Sequence, residues 1–155
     1  EILEASFEDN SLADGSGDGR DSWRNSALGG VIQITSSPVQ NGSQAAKFPS
    51  SGDRIAYQEL IVSPNSDYIL TYYYTLKTNN PGSVTVSVLA DGGHIDLAAA
   101  LAAKIEDFEG TDQTSSSDYV QGNISFNSGA NSVISILITN QGEEARVDNF
   151  SIAAQ

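Results

Sequence analysis

Cysteine and methionine are both absent from this chain of 155 residues. No disulfide framework, thiol nucleophile or thiolate metal site is therefore open to it. Bases are scarce: 7 Lys and Arg stand against 20 Asp and Glu, for a formal net charge of -13. Nucleic-acid binding needs clustered Lys and Arg against phosphates, so that class is excluded, as is an anionic membrane surface. No apolar run is long enough to span a bilayer. The sole histidine, His94, follows Gly92-Gly93, which leaves no zinc-binding spacing and no Ser-His-Asp set in a recognisable context. A signal peptide is not read at the start, and the opening at Glu1 reads as a processed or trimmed end. Lack of cysteine suits a secreted bacterial protein, and the acidity suits solubility in a salty or extracellular medium.

What is present is a run of short strands. Hydrophobic residues make up 39% of the chain, enough for one domain, 1–155, with a real core. Strands are predicted over 31–35, 55–62, 68–77, 83–88, 119–126, 132–139 and 145–152, with turn formers such as Ser63-Pro64-Asn65-Ser66-Asp67 and Asn79-Asn80-Pro81-Gly82 between them. Ser83 to Val88 alternates cleanly, with one buried face and one hydroxyl-lined face. The Ala- and Leu-rich stretch Ile95 to Ile105 has helical spacing. The expected fold is all-β, a two-sheet antiparallel β-sandwich (jelly roll) with one short helical insert near 95–105.

Two acids stand out. Glu8 follows Ser6-Phe7 in the expected first strand, and Asp148 lies in Arg146-Val147-Asp148-Asn149-Phe150 in the last, which suggests that the two strands lie side by side. A lone carboxylate beside aromatic and apolar neighbours is costly to bury, and a shared hard cation removes that cost. The alternative is two acids exposed to solvent at strand ends. Asp14-x-Ser16-x-Asp18-Gly19 partly imitates a calcium loop, but Asn25 stands where its closing Glu belongs.

Aromatics and bases point to a sugar-binding face. Sugars stack their C–H faces on aromatic rings and offer hydroxyls to planar polar groups. Trp23, the only tryptophan, is one candidate platform, with a core anchor as its other reading. In the strand from Tyr68, Leu70, Tyr72 and Tyr74 are assigned to the core, which sends Tyr73 and Lys77 to the other face. Leu60 and Val62 are assigned to the core likewise, placing Tyr57 and Glu59 opposite, in company with Thr85 and Ser87. Arg20, Arg24, Arg54 and Lys77 flank this surface and favour an anionic polysaccharide of uronic acids or sulfated sugars.

The chain resembles the calcium-containing jelly-roll carbohydrate-binding modules of families 4, 9, 16 and 22. The pieces that carry the resemblance are Ser6-Phe7-Glu8, Trp23, Gly42 to Phe48, Gln58, Asn65 to Thr71 and Val147 to Ile152. It looks most like family 16 modules attached to polysaccharide-degrading enzymes of marine bacteria, including alginate lyases, with Asp96 to Ala100 and Gly110-Thr111-Asp112-Gln113 adding to the likeness. The resemblance implies a structural calcium ion held by the side chains of Glu8 and Asp148 and the backbone oxygens of Ser6 and Lys47. Ser6 stands where the family usually has Gly, a change that a backbone ligand tolerates. It also implies a sugar site on the concave sheet.

The expected protein is thus a secreted, monomeric, non-catalytic module that binds polysaccharide through Trp23, Arg24, Arg54, Tyr57, Tyr73 and Lys77 and anchors an appended catalytic domain. A structural spacer or adhesion domain without sugar affinity is the main alternative. A small glycan lyase using Tyr as acid is a third.

Overall fold

The computed structural model describes residues 1–8, 20–77, 81–111 and 117–155. The Asp14–Asp18 loop, Asn79-Asn80 and Asp112-Gln113 lie outside these described residues. A 3₁₀ turn, Asp21–Trp23, precedes ten strands: β1 (Gly30–Val31), β2 (Gln33–Thr35), β3 (Ala45–Phe48), β4 (Arg54–Ile61), β5 (Asp67–Leu76), β6 (Ser83–Ala90), β7 (Lys104–Gly110), β8 (Val120–Asn127), β9 (Val133–Gln141) and β10 (Ala145–Ala154). Helix α1 (Leu97–Ala102) sits between β6 and β7. The strands form two five-stranded sheets, ordered β1-β4-β9-β6-β7 and β2-β3-β10-β5-β8. All pairings are antiparallel except β1 with β4. β9 and β10, the last strands in sequence, each take the middle place of a sheet. The sandwich and its helical insert agree with the expected fold.

Period-two alternation builds the core between the sheets. Val84, Val86 and Val88 of β6, Ile134, Ile136 and Ile138 of β9, and Leu70, Tyr72, Tyr74 and Leu76 of β5 are buried in one cluster. Each such side chain, once buried, contributes roughly 1.5–3 kcal/mol relative to its exposed state. The tyrosine rings are accommodated by one glycine on the adjoining strand β8 and one on β7 of the facing sheet. A Cβ at Gly122 would meet the Tyr72 ring at 2.5 Å, and one at Gly110 would meet the Tyr74 ring at 2.6 Å.

Four local expectations change. The predicted 31–35 strand is split between the sheets, with Val31 joining β4 and Gln33 joining β3. The chain crosses at Ile32, whose carbonyl accepts a 3.0 Å hydrogen bond from Arg20 Nη1. Arg20 is buried and serves this crossing rather than a sugar surface. Ser6-Phe7-Glu8 is not strand: Phe7 has φ 57°, and the segment before it is turns. The first strand, β1, therefore lies in the opposite sheet from the last, β10. The N-terminal segment still docks on β10, where Phe150 N donates to Ala5 O at 2.9 Å. The helix is shorter than expected because Lys104 already begins β7. That strand, Lys-Ile-Glu-Asp-Phe-Glu-Gly, is a charged edge strand of the kind that blocks sheet-to-sheet aggregation.

Candidate sugar-binding hollow and calcium clip

The strand registers bring the expected outward residues of the first sheet together. Tyr57 of β4 stands opposite Leu137 of β9, which stands opposite Ser87 of β6, which stands opposite Asp107 of β7. One step along, Glu59, Ser135 and Leu89 form a parallel row. Tyr57, Glu59, Thr85 and Ser87 thus share one face, as alternation predicts.

That face is not open. Leu28 on one side and Ala100 with Leu97 of α1 on the other pack over Ile55, Tyr57, Leu89 and Leu137 as a second apolar cluster. Helix α1 is held in form by its N-cap, where Asp96 Oδ1 accepts from Ala99 N at 2.8 Å. The segment before it is tied down at Glu59, whose Oε1 accepts from Gly93 N at 2.6 Å and from the Tyr57 hydroxyl at 3.0 Å. The Tyr57 hydroxyl also lies 2.8 Å from Ser135 Oγ, and the ring meets His94 edge-on at 6.0 Å. Burial pushes the Tyr57 hydroxyl above its ordinary titration range. Tyr57 is only 5% exposed, so it supplies a wall and a hydroxyl, not a stacking platform.

Space remains at the β4 edge. A hollow of about 390 Å³ opens between Ser22, Arg24, Asn25, Tyr57 and Glu59. A second, of about 400 Å³, lies where Arg24 and Asn25 approach Ser26, Gly30 and Val31. Arg24 lines both, with Nε 3.1 Å from Asp21 Oδ1. Arg54 stays close to the second: its Nη1 donates to Val31 O at 2.8 Å and its Nε is 3.6 Å from Asp53 Oδ1. The structure therefore brings Arg24, Tyr57 and Arg54 to one edge. Asn25 and Ser22 were missed. Asn25 donates from Nδ2 to His94 O at 3.0 Å, a contact across 69 positions of sequence that no local pattern signals.

Three expected binding residues are elsewhere. Trp23 is fully buried among Phe7 and Phe150, at ring-centre distances of 5.5 and 5.2 Å, and its Nε1 donates to Glu4 O at 3.1 Å. It is a core anchor and cannot stack on a ligand from there. Tyr73 belongs to β5 of the second sheet, facing away from Tyr57, and Lys77 directly follows that strand. Tyr73 stands between Asp148 and Gln121 on the adjoining strands. Lys77 Nζ lies 3.6 Å from Glu144 Oε1, and Lys47 Nζ lies 3.5 Å from the same oxygen. Arg146 Nη2 pairs with the other Glu144 oxygen.

Glu8 and Asp148 are brought together by the loop before β3. Asp148 Oδ2 accepts from Gln40 N and Asn41 N at 2.9 Å each, and Oδ1 from Asn149 N at 2.8 Å. Glu8 accepts from Ser43 N at 2.8 Å and Gln44 N at 3.0 Å. Burial pushes the Asp148 carboxyl up to about 6; the backbone donors pull the other way, and the neighbouring Glu8 charge adds to the rise. Asp148, buried and raised by desolvation, with the exposed carboxylate of Glu8 beside it, offers two charged oxygen donors of the kind calcium takes. Among the described residues no three His, Cys, Asp or Glu side chains converge, so the remaining ligands of such an ion would be neutral oxygens of backbone, side-chain amide or hydroxyl groups, or of water. The Lys47 side chain is directed to Glu144, which leaves only its backbone oxygen for that role; Ser6 sits two residues before Glu8, ahead of the Phe7 turn.

Gly42 is the tightest point of this loop. It has φ 66°, and a Cβ there would meet the Glu8 carboxylate at 2.4 Å. Gly42→Ala is expected to lower stability by about 1–3 kcal/mol through backbone strain and displacement of Glu8. A melting curve checks this; an unchanged midpoint would mean that the loop yields freely.

No protein-family profile matches this chain, and no curated protein matches it. Solved structures do. A family 4 carbohydrate-binding module is similar at TM-score 0.60 and 12% identity, with 100% of both chains covered. A family 16 module is similar at TM-score 0.51 and 15% identity, covering 93% of this chain and 99% of that one. A Clostridium thermocellum xylanase, as its family 22 module joined to a catalytic module and complexed with xylohexaose, is similar at TM-score 0.63 and 15% identity; 97% of this chain aligns with 28% of that one. Identities this low establish a shared architecture. The chain has the jelly-roll sandwich fold of carbohydrate-binding modules.

Proposed function

We propose that the protein is a non-catalytic carbohydrate-binding module that targets an attached secreted enzyme to a polysaccharide, with an anionic marine glycan such as alginate as the favoured class. The observation that carries this is the pair of hollows around Arg24, beside Tyr57, Glu59 and Arg54, on a fold whose solved examples include modules bound to sugar. Arg24 and Arg54 suit carboxylate or sulfate groups, and Glu59 with Asn25 suits hydroxyls. A family 16 affiliation agrees with the likeness over nearly the whole of both chains. Affinity electrophoresis through alginate, agar, carrageenan, laminarin and mannan tests the reading. Retardation in at least one gel is expected, with Arg24→Ala weakening it by roughly tenfold, the loss of one charge-assisted contact. Free migration in every gel would overturn it.

A second reading is favoured by the burial of Trp23 and Tyr57: a structural spacer with no sugar affinity. It predicts free migration for the wild type and for Arg24→Ala alike.

The calcium ion is proposed at Glu8 and Asp148, with Ser6 and Lys47 contributing backbone oxygen. Its role is to fasten the N-terminal segment and the loop before β3 onto β10, at a distance from the Arg24 hollows.

A further inference from the structure

We infer that, given the carbohydrate-binding reading above, this module grips the ends of glycan chains and not their interiors, because α1 and the Asn25–His94 bridge wall off the sheet face. A chain bound along its length needs an open path across β4, β9, β6 and β7. Here that path is shut at its centre: Ser135, Leu137 and Leu89 are 0% exposed and Ser87 2%, although no strand of the other sheet faces them. The cover comes from Ala100 and Leu97 of α1 and from Leu28. Two polar ties hold it in place. Asn25 Nδ2 to His94 O joins the loop after Trp23 to the insert, directly beside Tyr57. Gly93 N to Glu59 fixes the insert to β4, and a Cβ at Gly92 would already touch the Glu59 carboxylate at 2.7 Å.

The route along the sheet edge is interrupted as well. Arg24 and Asn25 line both hollows, Arg24 held by Asp21 and Asn25 by its bond to His94. Tyr57, Asn25 and Arg24 line the hollow that opens between Ser22 and Glu59. At about 390 Å³ the space is near the small end for ligand sites. It suits a terminal segment with a carboxylate or hydroxyl directed at Arg24 and Glu59.

The test counts binding sites. Alginate and laminarin are each titrated by calorimetry with the whole protein, intact and after partial depolymerisation, at equal mass. End recognition predicts that sites per unit mass rise in step with the number of chains, about tenfold when chains are cut to a tenth of their length. Constant sites per unit mass would overturn end recognition while leaving carbohydrate binding intact. Absence of binding to either glycan, together with free migration through the whole gel panel, would overturn the binding reading itself. A variant with a Gly-Ser link in place of Leu97–Ala102 addresses the wall. If it stays folded by near-ultraviolet dichroism, its site count is expected to follow mass instead of ends; a folded variant that still counts ends would clear α1 of the role. The wild-type count decides the matter even if that variant fails to fold.

Discussion

Replacing Trp23 with alanine is expected to lower stability by about 3–5 kcal/mol, the range for removing a large buried aromatic side chain. The indole is wholly buried and touches two other rings, Phe7 and Phe150, and Phe150 in turn stacks on Tyr72 at 5.2 Å with 12° between planes. Phe7 comes from the N-terminal segment, Phe150 from β10 and Tyr72 from β5, so the cavity would loosen three separate stretches of chain. The lost Nε1 donor also leaves the Glu4 carbonyl without its 3.1 Å partner. With midpoints moving about 2–4 °C per kcal/mol for a chain of this size, a fall of about 10 °C is expected in thermal unfolding. Trp23→Phe should recover part of it. A midpoint within a degree or two of wild type would show that the indole is not an anchor. The same substitution tests the surface-platform idea from the other side: emission from buried Trp23 should resist quenching by acrylamide until the protein unfolds.

Calcium is expected to produce the second large effect. An ion present at about 1,000 times its dissociation constant adds about 4 kcal/mol to the stability of the form that binds it, on the order of 10 °C in melting midpoint. Chelator should remove this gain, and Glu8→Gln or Asp148→Asn should abolish the response. The pH dependence gives an independent check. In chelator the folded Asp148 carboxyl titrates near 6, above its unfolded range. The native state therefore holds more protons than the unfolded state between about pH 4 and 6, so stability falls as pH rises through that window. Calcium favours the charged carboxylate and should flatten the slope. Identical melting in calcium and in chelator, at pH 5 and at pH 7, would remove the metal from the account.

The architecture was largely legible because alternation is a local property. Leu70, Tyr72 and Tyr74 inward, and Tyr57 and Glu59 outward, follow from period two alone, and registry then placed Ser87 beside them. β7 was hidden because its acidic residues mask its pattern, and the 31–35 strand divides at a point fixed by a distant arginine, Arg20. The candidate site was less legible. Tyr57 reads as exposed because the sequence shows which side of a strand a residue is on, but not what lies over that side; Trp23, in a 3₁₀ turn, has no alternation to assign it a side at all. Tyr73 and Lys77 were grouped with Tyr57 because alternation gives a face within each strand but not which sheet the strand joins. Glu8 and Asp148 are legible because a carboxylate amid aromatic residues is unusual wherever it falls. The loop amides of Gln40, Asn41, Ser43 and Gln44 that hold them carry no side-chain signal.

The central placing of β9 and β10 bears on how the protein reaches its native state. Until β9 arrives, the β1–β4 pair and the β6–β7 hairpin have no partner in common; until β10 arrives, the same is true of β2–β3 and β5–β8. Folding must wait for long-range pairings, which places it among slow β topologies, in the range of milliseconds to seconds. Four half-sheets with raw edges coexist in the meantime, and these are templates for pairing between molecules. The acidic surface, which repels like chains, is then a safeguard during assembly as much as a property of the finished protein.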